Sequence, residues 1–67
     1  MKTYKDALEY GKQRLLECKI EDAKLDAWLL LEHVSGISRS WYFVHEDDEI
    51  SQEDMEKYQG LIEQRGK

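Results

Sequence analysis

Histidine and cysteine are the residue types here that most often carry chemistry, but their spacing gives little support for a catalytic or metal site. His33 and His45 lie on either side of a predicted helix end, whereas two zinc-binding histidines on one helix are typically four residues apart. We expect His33 to be a partly buried structural histidine and His45 to be a solvated loop residue. Cys18 lies on the apolar face of the first predicted helix, where a buried structural thiol is expected.

Carboxylates are numerous in the chain, but their pattern does not indicate acid–base catalysis. General acid–base chemistry needs a cleft that desolvates one carboxyl group, and a chain of 67 residues seldom encloses such a cleft. The glycines Gly11, Gly36, Gly60 and Gly66 do not cluster, so no glycine-rich phosphate loop is present. We therefore predict no catalytic, cofactor-binding or metal site in this chain, and no enzyme activity of its own.

Charge and composition limit the partners that the chain can bind. Fifteen acidic residues against ten basic ones give a net charge of −5, which argues against nucleic acid and against anionic lipid. The longest apolar run, residues 27–31, is too short to cross a membrane. A single cysteine and a start without an apolar signal segment favour a cytoplasmic protein.

Hydrophobic periodicity predicts an all-α fold. The chain has no proline and no alternating apolar run between hairpin turns, so nothing indicates a β-sheet. We expect one domain over residues 1–67, a small four- to five-helix bundle around a central buried helix. Four helices can be placed, from Thr3 to Glu17, from Glu21 to Gly36, from Ser38 to about Val44, and from Ser51 toward the end of the chain at Lys67.

Several helix ends carry capping residues. Thr3 with Asp6, and Ser51 with Asp54, resemble capping boxes in which Asp replaces the commoner Glu. Gly36 is a natural left-handed stop. In the first helix, Gly11 lies on the apolar face, so we expect another helix to approach closely there.

The second predicted helix is apolar almost all the way round. One wide stripe contains Ala27, Leu30 and Leu31, while Leu25 and Leu29 lie on the opposite side. A helix of this kind in a short chain is expected to be covered by other helices on several sides.

Two neighbouring segments could contact a partner. Three consecutive aromatic residues, 41–43, are about 100° apart on a helix, so at least one ring should stay partly exposed. Either Trp41 and one neighbour close the end of the bundle, or one ring is an interface anchor. Seven acids between Glu46 and Glu56 form either a solvated loop or a surface for a basic protein. The candidate partner-binding residues are Arg39, Trp41, Tyr42, Glu46, Asp47 and Asp48.

The order of these features resembles the N-terminal domain of the HemK/PrmC family. The resemblance rests on Asp26-Ala27, on the Leu-Leu-Leu-Glu-His-Val run of residues 29–34, and on Gly36 followed by Ser38-Arg39 and a short aromatic helix. The opening Thr3-Tyr4-x-x-Ala7-Leu8 and the closing Glu63-x-Arg65 fit the same domain, so the similarity covers essentially the whole chain. Members of this family are methyltransferases that modify the glutamine of the Gly-Gly-Gln motif in peptide chain release factors.

The resemblance implies a recognition domain and no catalytic residue within this chain. The family's catalytic domain carries an Asn-Pro-Pro-Tyr motif and a glycine-rich loop for S-adenosylmethionine, and this proline-free chain has neither. The implied partners are the release factor and the catalytic domain of the same enzyme, and the implied cofactor belongs to that domain alone. Many relatives have a glycine near Lys19, so here either a non-glycine residue makes the turn or the first helix ends differently.

A standalone acidic adaptor is the alternative function. It would bind a basic protein through residues 46–56 and the neighbouring aromatic side chains. The gene downstream of Lys67 separates the two possibilities, because only the methyltransferase would continue into an Asn-Pro-Pro-Tyr motif.

Overall fold

The computed structural model describes residues 2–66, and within this range the chain forms four α-helices and no sheet. The predicted all-α class is therefore confirmed. None of the helices in this range is long and apolar enough to span a bilayer. The helices are α1 (Tyr4–Glu17), α2 (Ala23–Ser35), α3 (Arg39–His45) and α4 (Gln52–Arg65). The fourth helix was predicted to run toward Lys67, and this last residue lies outside the described residues.

Helices α1, α3 and α4 begin at the predicted caps, whereas α2 begins at Ala23, two residues after the predicted Glu21, and has no side-chain cap. At α1 the capping box is complete, since Asp6 N–H donates to Thr3 Oγ1 at 3.1 Å and Thr3 N–H donates to Asp6 Oδ2 at 3.0 Å. This backbone donor lowers the pKa of the Asp6 carboxyl. The hydroxyls of Ser38 and Ser51 cap α3 and α4 by accepting backbone N–H bonds three residues later. Gly36 ends α2 in the left-handed conformation, with φ of 69°.

Lys19 makes the turn between α1 and α2 where a glycine would be expected. Its φ is 61°, in the left-handed region that disfavours residues with a Cβ. Ile20 N–H donates to Leu15 O at 3.0 Å and Lys19 N–H donates to Leu16 O at 3.0 Å, which is the Schellman pattern. The first helix therefore ends as a glycine-terminated helix would, with a lysine in the strained position.

The core lies between α1, α2 and α4. Tyr42 of α3 and Ile50 of the following turn complete it, and among residues 2–66 no buried polar side-chain atom lacks a hydrogen-bond partner. The buried apolar residues are Ala7, Leu15, Ala23, Ala27, Trp28, Leu31, Tyr42, Ile50, Met55, Tyr58 and Ile62.

Gly11 allows α4 to approach α1, as predicted. A Cβ at this position would overlap the Tyr58 hydroxyl and would lie 2.8 Å from Tyr58 Cζ. The Tyr58 side chain is fully buried, and its hydroxyl donates to Ala27 O at 3.0 Å. Burial raises the pKa of Tyr58. One tyrosine thus joins α4 to both α1 and α2, and the missing side chain at Gly11 leaves room for it.

The expectation that α2 is covered on several sides is wrong for its outer side. Leu25 is 51% exposed and Leu29 is 48% exposed. Helices α1 and α4 pack against the opposite side, and α3 reaches α2 through the Tyr42 ring, whose centroid lies 5.4 Å from that of Trp28. Because α3 has only seven residues, it does not extend over the outer leucines.

We predict that Gly11→Ala destabilises the fold by about 1–3 kcal/mol, because the new methyl group overlaps a buried ring that is held by a hydrogen bond. Gly60→Ala is the matched control: Gly60 is inside α4 with nothing within 4 Å of a new Cβ. We expect this control to stabilise the fold by about 0.5–1 kcal/mol. Urea unfolding of both variants measures the difference, and equal changes of the same sign would contradict the packing account.

We predict that Lys19→Gly raises the free energy of unfolding by about 0.5–1 kcal/mol. The gain is the strain removed at φ of 61°, reduced by the greater entropy of glycine in the unfolded chain. Lys57→Gly makes the same charge change within α4, where φ is helical, and should destabilise by about 1 kcal/mol. A loss of stability in both variants, measured by thermal unfolding, would rule out strain at Lys19.

Candidate protein-binding surface

The six predicted contact residues fall into two neighbouring areas around α3. Trp41, Glu46, Asp47 and Asp48 lie beside the start of α1 and, together with Tyr4 and His45, are called the acidic corner below. Arg39 and Tyr42 lie on the other side and line a groove that is shared with α1 and α2. The prediction that these six residues contact a partner remains a prediction.

The acidic run is a fixed turn that covers the N-terminus of α1. Tyr4 N–H donates to Asp48 O at 3.1 Å, and Lys5 N–H donates to Glu46 O at 2.9 Å. These amides belong to the first turn of the helix, where no partner exists within the helix itself. Negative charge is also favoured at this end by the helix dipole. The carboxylates therefore occupy defined positions on a turn that is held through its backbone.

Aromatic rings connect this turn to α3. The Trp41 ring stacks on His45 with centroids 4.2 Å apart and meets Tyr4 edge-on at 5.1 Å. His45 Nδ1 lies 2.7 Å from Asp48 Oδ2. The expectation of a solvated loop histidine is therefore wrong: His45 is the last residue of α3, half-buried and hydrogen-bonded. Burial, followed by the charges of Asp54 and Asp48, raises the pKa of Tyr4.

The three consecutive aromatic residues have different roles. Tyr42 is buried against Trp28 and closes the end of the bundle, while Trp41 remains partly exposed. Phe43 is 66% exposed, and Val44 beside it is more exposed still. At least one of the three rings was predicted to stay partly exposed, and both Trp41 and Phe43 do so. The structure identifies Phe43 as the most exposed ring, and Phe43 was not among the six candidates.

The groove next to Tyr42 is the second area, and we call it the aromatic groove. Arg39 lies over the Trp28 ring, with its guanidinium carbon 4.9 Å from the ring centroid. Burial is the main cause that raises the pKa of Tyr42, and the charges of Glu46 and Glu9 add to it. The groove has a volume of about 180 Å³ and is lined by Leu8, Lys12, Lys24, Trp28, Arg39, Tyr42 and Phe43. Sequence reasoning missed Lys12 and Lys24 because they come from two other helices.

Cys18 was predicted to be buried and His33 to be partly buried, and both predictions are wrong. Cys18 is exposed, because it is the C-cap of α1 and lies beyond the buried part of that helix. His33 is also exposed, on the rim of a shallow hollow between α2 and α4 that contains Val34 and Leu61. Within residues 2–66, no group of three His, Cys, Asp or Glu side chains is placed to hold a metal ion.

Two ion pairs connect α4 to the neighbouring helices α1 and α2. Arg14 Nη2 lies 2.8 Å from Glu63 Oε2, and the Tyr10 hydroxyl donates to Glu63 Oε1 at 2.9 Å. This contact with Glu63 raises the pKa of the Arg14 guanidinium. Arg65 Nη2 lies 2.8 Å from Asp26 Oδ2. Since these side chains remain partly exposed to solvent, each pair contributes little stability by itself.

Comparison with known proteins gives one result for almost the whole chain. The family model described as the PrmC N-terminal domain matches residues 6–67. No curated protein and no solved structure matches the chain significantly. The match includes α2, α3 and α4 in full and α1 from Asp6 onward, so it covers the aromatic groove and all of the acidic corner except Tyr4.

We predict that Phe43→Ala changes the free energy of unfolding by less than about 0.5 kcal/mol, because its ring is mostly in water. Trp28→Ala should cost about 3–5 kcal/mol, since Trp28 is only 5% exposed and forms the floor of the groove. Thermal or urea unfolding distinguishes the two. A large loss for Phe43→Ala would mean that this ring is a structural element and would remove it as a candidate contact.

Proposed function

Because the chain belongs to the PrmC N-terminal domain family, we propose that it is the substrate-recognition domain of a two-domain protein methyltransferase. The substrate in this proposal is the glutamine of the Gly-Gly-Gln motif of a peptide chain release factor. The observation that carries the proposal is the family match over residues 6–67. The domain would bind the folded release factor, and its second partner would be the catalytic domain of the same enzyme.

The surface around α3 supports a role in protein binding. Phe43 and Val44 are largely exposed apolar side chains, and Trp41 of the same short helix is partly exposed. Exposed apolar side chains rimmed by charged groups are typical of protein interfaces, and aromatic residues are frequent anchors. The adjacent acidic turn is held by backbone hydrogen bonds, so its charges can be recognised without first being ordered.

The residues of this chain do not fit S-adenosylmethionine. A nucleotide-type cofactor is usually held by a glycine-rich loop at the N-terminus of a helix. Gly11 and Gly60 lie inside helices, whereas Gly36 and Gly66 lie at helix C-termini. We therefore assign the cofactor, and with it the methyl transfer, to the catalytic domain, and we expect this chain to have no transferase activity alone.

A standalone acidic adaptor is the second candidate. The observation in its favour is that Asp47, Asp48 and Glu49 are exposed on a fixed turn, where they could meet a basic protein. The reading frame after Lys67 separates the candidates. A continuing frame with Asn-Pro-Pro-Tyr supports the methyltransferase, and an immediate stop codon supports the adaptor.

In the parent enzyme, we predict that deleting residues 1–67 lowers kcat/KM for the intact release factor by at least about tenfold. The reason is the loss of contacts that the folded substrate makes outside the Gly-Gly-Gln loop. The control substrate is a short Gly-Gly-Gln peptide, which cannot reach this domain, so its kcat/KM should change by less than about twofold. An unchanged kcat/KM for the intact release factor would contradict the recognition role.

A pair of point variants tests the same role in the intact enzyme. Phe43→Ala removes an exposed ring on α3, whereas Leu16→Ala removes an equally exposed apolar side chain near the far end of α1. We expect only Phe43→Ala to raise KM for the intact release factor. Equal effects of the two variants would place the contact elsewhere on the domain.

A further inference from the structure

Two cationic side chains without a carboxylate partner lie together at the aromatic groove. Lys12, Arg14, Lys57 and Arg65 all lie within 4.0 Å of a carboxylate oxygen. Within residues 2–66, the other five cationic side chains have no carboxylate this close: Lys2, Lys5 and Lys19 lie outside the groove, whereas Lys24 and Arg39 both line it. In a chain of net charge −5, this groove is therefore a local site of unneutralised positive charge.

Arg39 is held in a position from which it can bind a carboxylate. Its guanidinium lies over the face of Trp28, with 4.9 Å between the guanidinium carbon and the ring centroid. An arginine stacked in this way keeps its N–H groups at the edge of the plane, where a carboxylate can bind two of them. Lys24, one turn before Trp28 on α2, lines the same groove and adds a second positive charge.

The apolar part of the groove has room for one side chain. Trp28 forms its floor, and the exposed Phe43 ring forms one wall. A volume of about 180 Å³ is below the ~300–1,000 Å³ that is usual for small-molecule and cofactor sites. The groove is therefore suited to a single large side chain of a peptide, adjacent to the two cations.

We propose that the aromatic groove binds a protein segment in which a carboxylate side chain lies next to a large apolar side chain. The carboxylate would pair with Arg39 and Lys24, and the apolar side chain would pack against Phe43 and Trp28. The net charge alone predicts only basic partners, so this site has the opposite preference. The groove could bind such a segment in a release factor or in another protein. This proposal therefore does not depend on the proposed function, and each can be disproved without the other.

The charges around the groove favour a peptide over a nucleic acid. The charges of Glu46 and Glu9 help to raise the pKa of Tyr42, so these carboxylates lie near the Tyr42 side of the groove. A single carboxylate can pair with Arg39 and Lys24, whereas a phosphate backbone extending along the groove would also approach these acidic residues. Glu21 and Asp22 line the neighbouring hollow with Lys24 and Arg39, and they limit how much negative charge the site accepts.

The test uses the isotope-labelled chain and three short peptides, followed by amide shifts in two-dimensional NMR. The first peptide has Leu-Phe flanked by Asp and Glu; the second replaces the acids by Asn and Gln; the third keeps the acids and replaces Leu-Phe by Ala-Ala. We expect the first peptide to give saturable shifts at the groove and to bind at least about fivefold more tightly than either control. Raising the salt concentration should weaken the binding of the first peptide.

Exposed-residue variants locate the contact. Lys24→Gln and Arg39→Gln should each weaken the first peptide by about twofold to fivefold, and Phe43→Ala should weaken it at least as much. Lys57→Gln removes an exposed lysine of α4 outside the groove and should leave the affinity unchanged. Glu21→Gln should strengthen binding, because it removes a competing negative charge next to Lys24 and Arg39.

Four results would overturn the proposal. The first is that the first peptide causes no amide shifts at the groove up to about 5 mM, and the second is that the acidic and amide peptides bind equally well. The third is that the shifts are confined to the acidic corner. The fourth is that a short single-stranded oligonucleotide binds the groove more tightly than the first peptide. Any of these would leave release-factor recognition standing, because kcat/KM of the parent enzyme measures that function independently.

Discussion

The contact between Tyr58 and Gly11 is the constraint on which the rest of the structure depends. Without a side chain at Gly11, α4 comes close enough to α1 for the Tyr58 hydroxyl to reach the backbone of α2 at Ala27. The three longer helices are thereby joined at one buried point. The ion pairs of Arg14 with Glu63 and of Arg65 with Asp26 lie on the surface around it and keep the same arrangement.

The position of α3 follows from this three-helix core and produces the candidate binding surface. Tyr42 fills the end of the core against Trp28, so Phe43, about 100° further round the helix, is directed away from it. The acidic residues after α3 return to the N-terminus of α1, where the backbone N–H groups of Tyr4 and Lys5 donate to the carbonyl oxygens of Asp48 and Glu46. The packing of Tyr42 against Trp28 therefore explains both why Tyr42 is buried and why Phe43 is exposed.

Local sequence patterns predicted much of the fold but only part of the site. The Thr3 and Ser38 caps and the Gly36 stop each depend on residues within a few positions, so they could be read from the chain. The position of Gly11 on an apolar face indicated a close helix approach, but not that Tyr58 makes it. The outer leucines of α2 were expected to be covered, because periodicity shows that a face is apolar but not whether another helix reaches it. For the turn at Lys19 the sequence left two alternatives open, and the structure shows that the non-glycine residue makes the turn, with φ of 61°.

By itself, the sequence determined the helical class, the helix ends and the family, because these depend on residue order along the chain. Only the tertiary structure decided which charges lie together. Lys12, Lys24 and Arg39 come from three different helices, and their meeting around Trp28 depends on how those helices pack. The net charge is a sum over all residues and does not show where the individual charges lie in the folded protein. For that reason an acidic chain can carry a cationic groove beside its acidic corner, and the fold alone brings the two together.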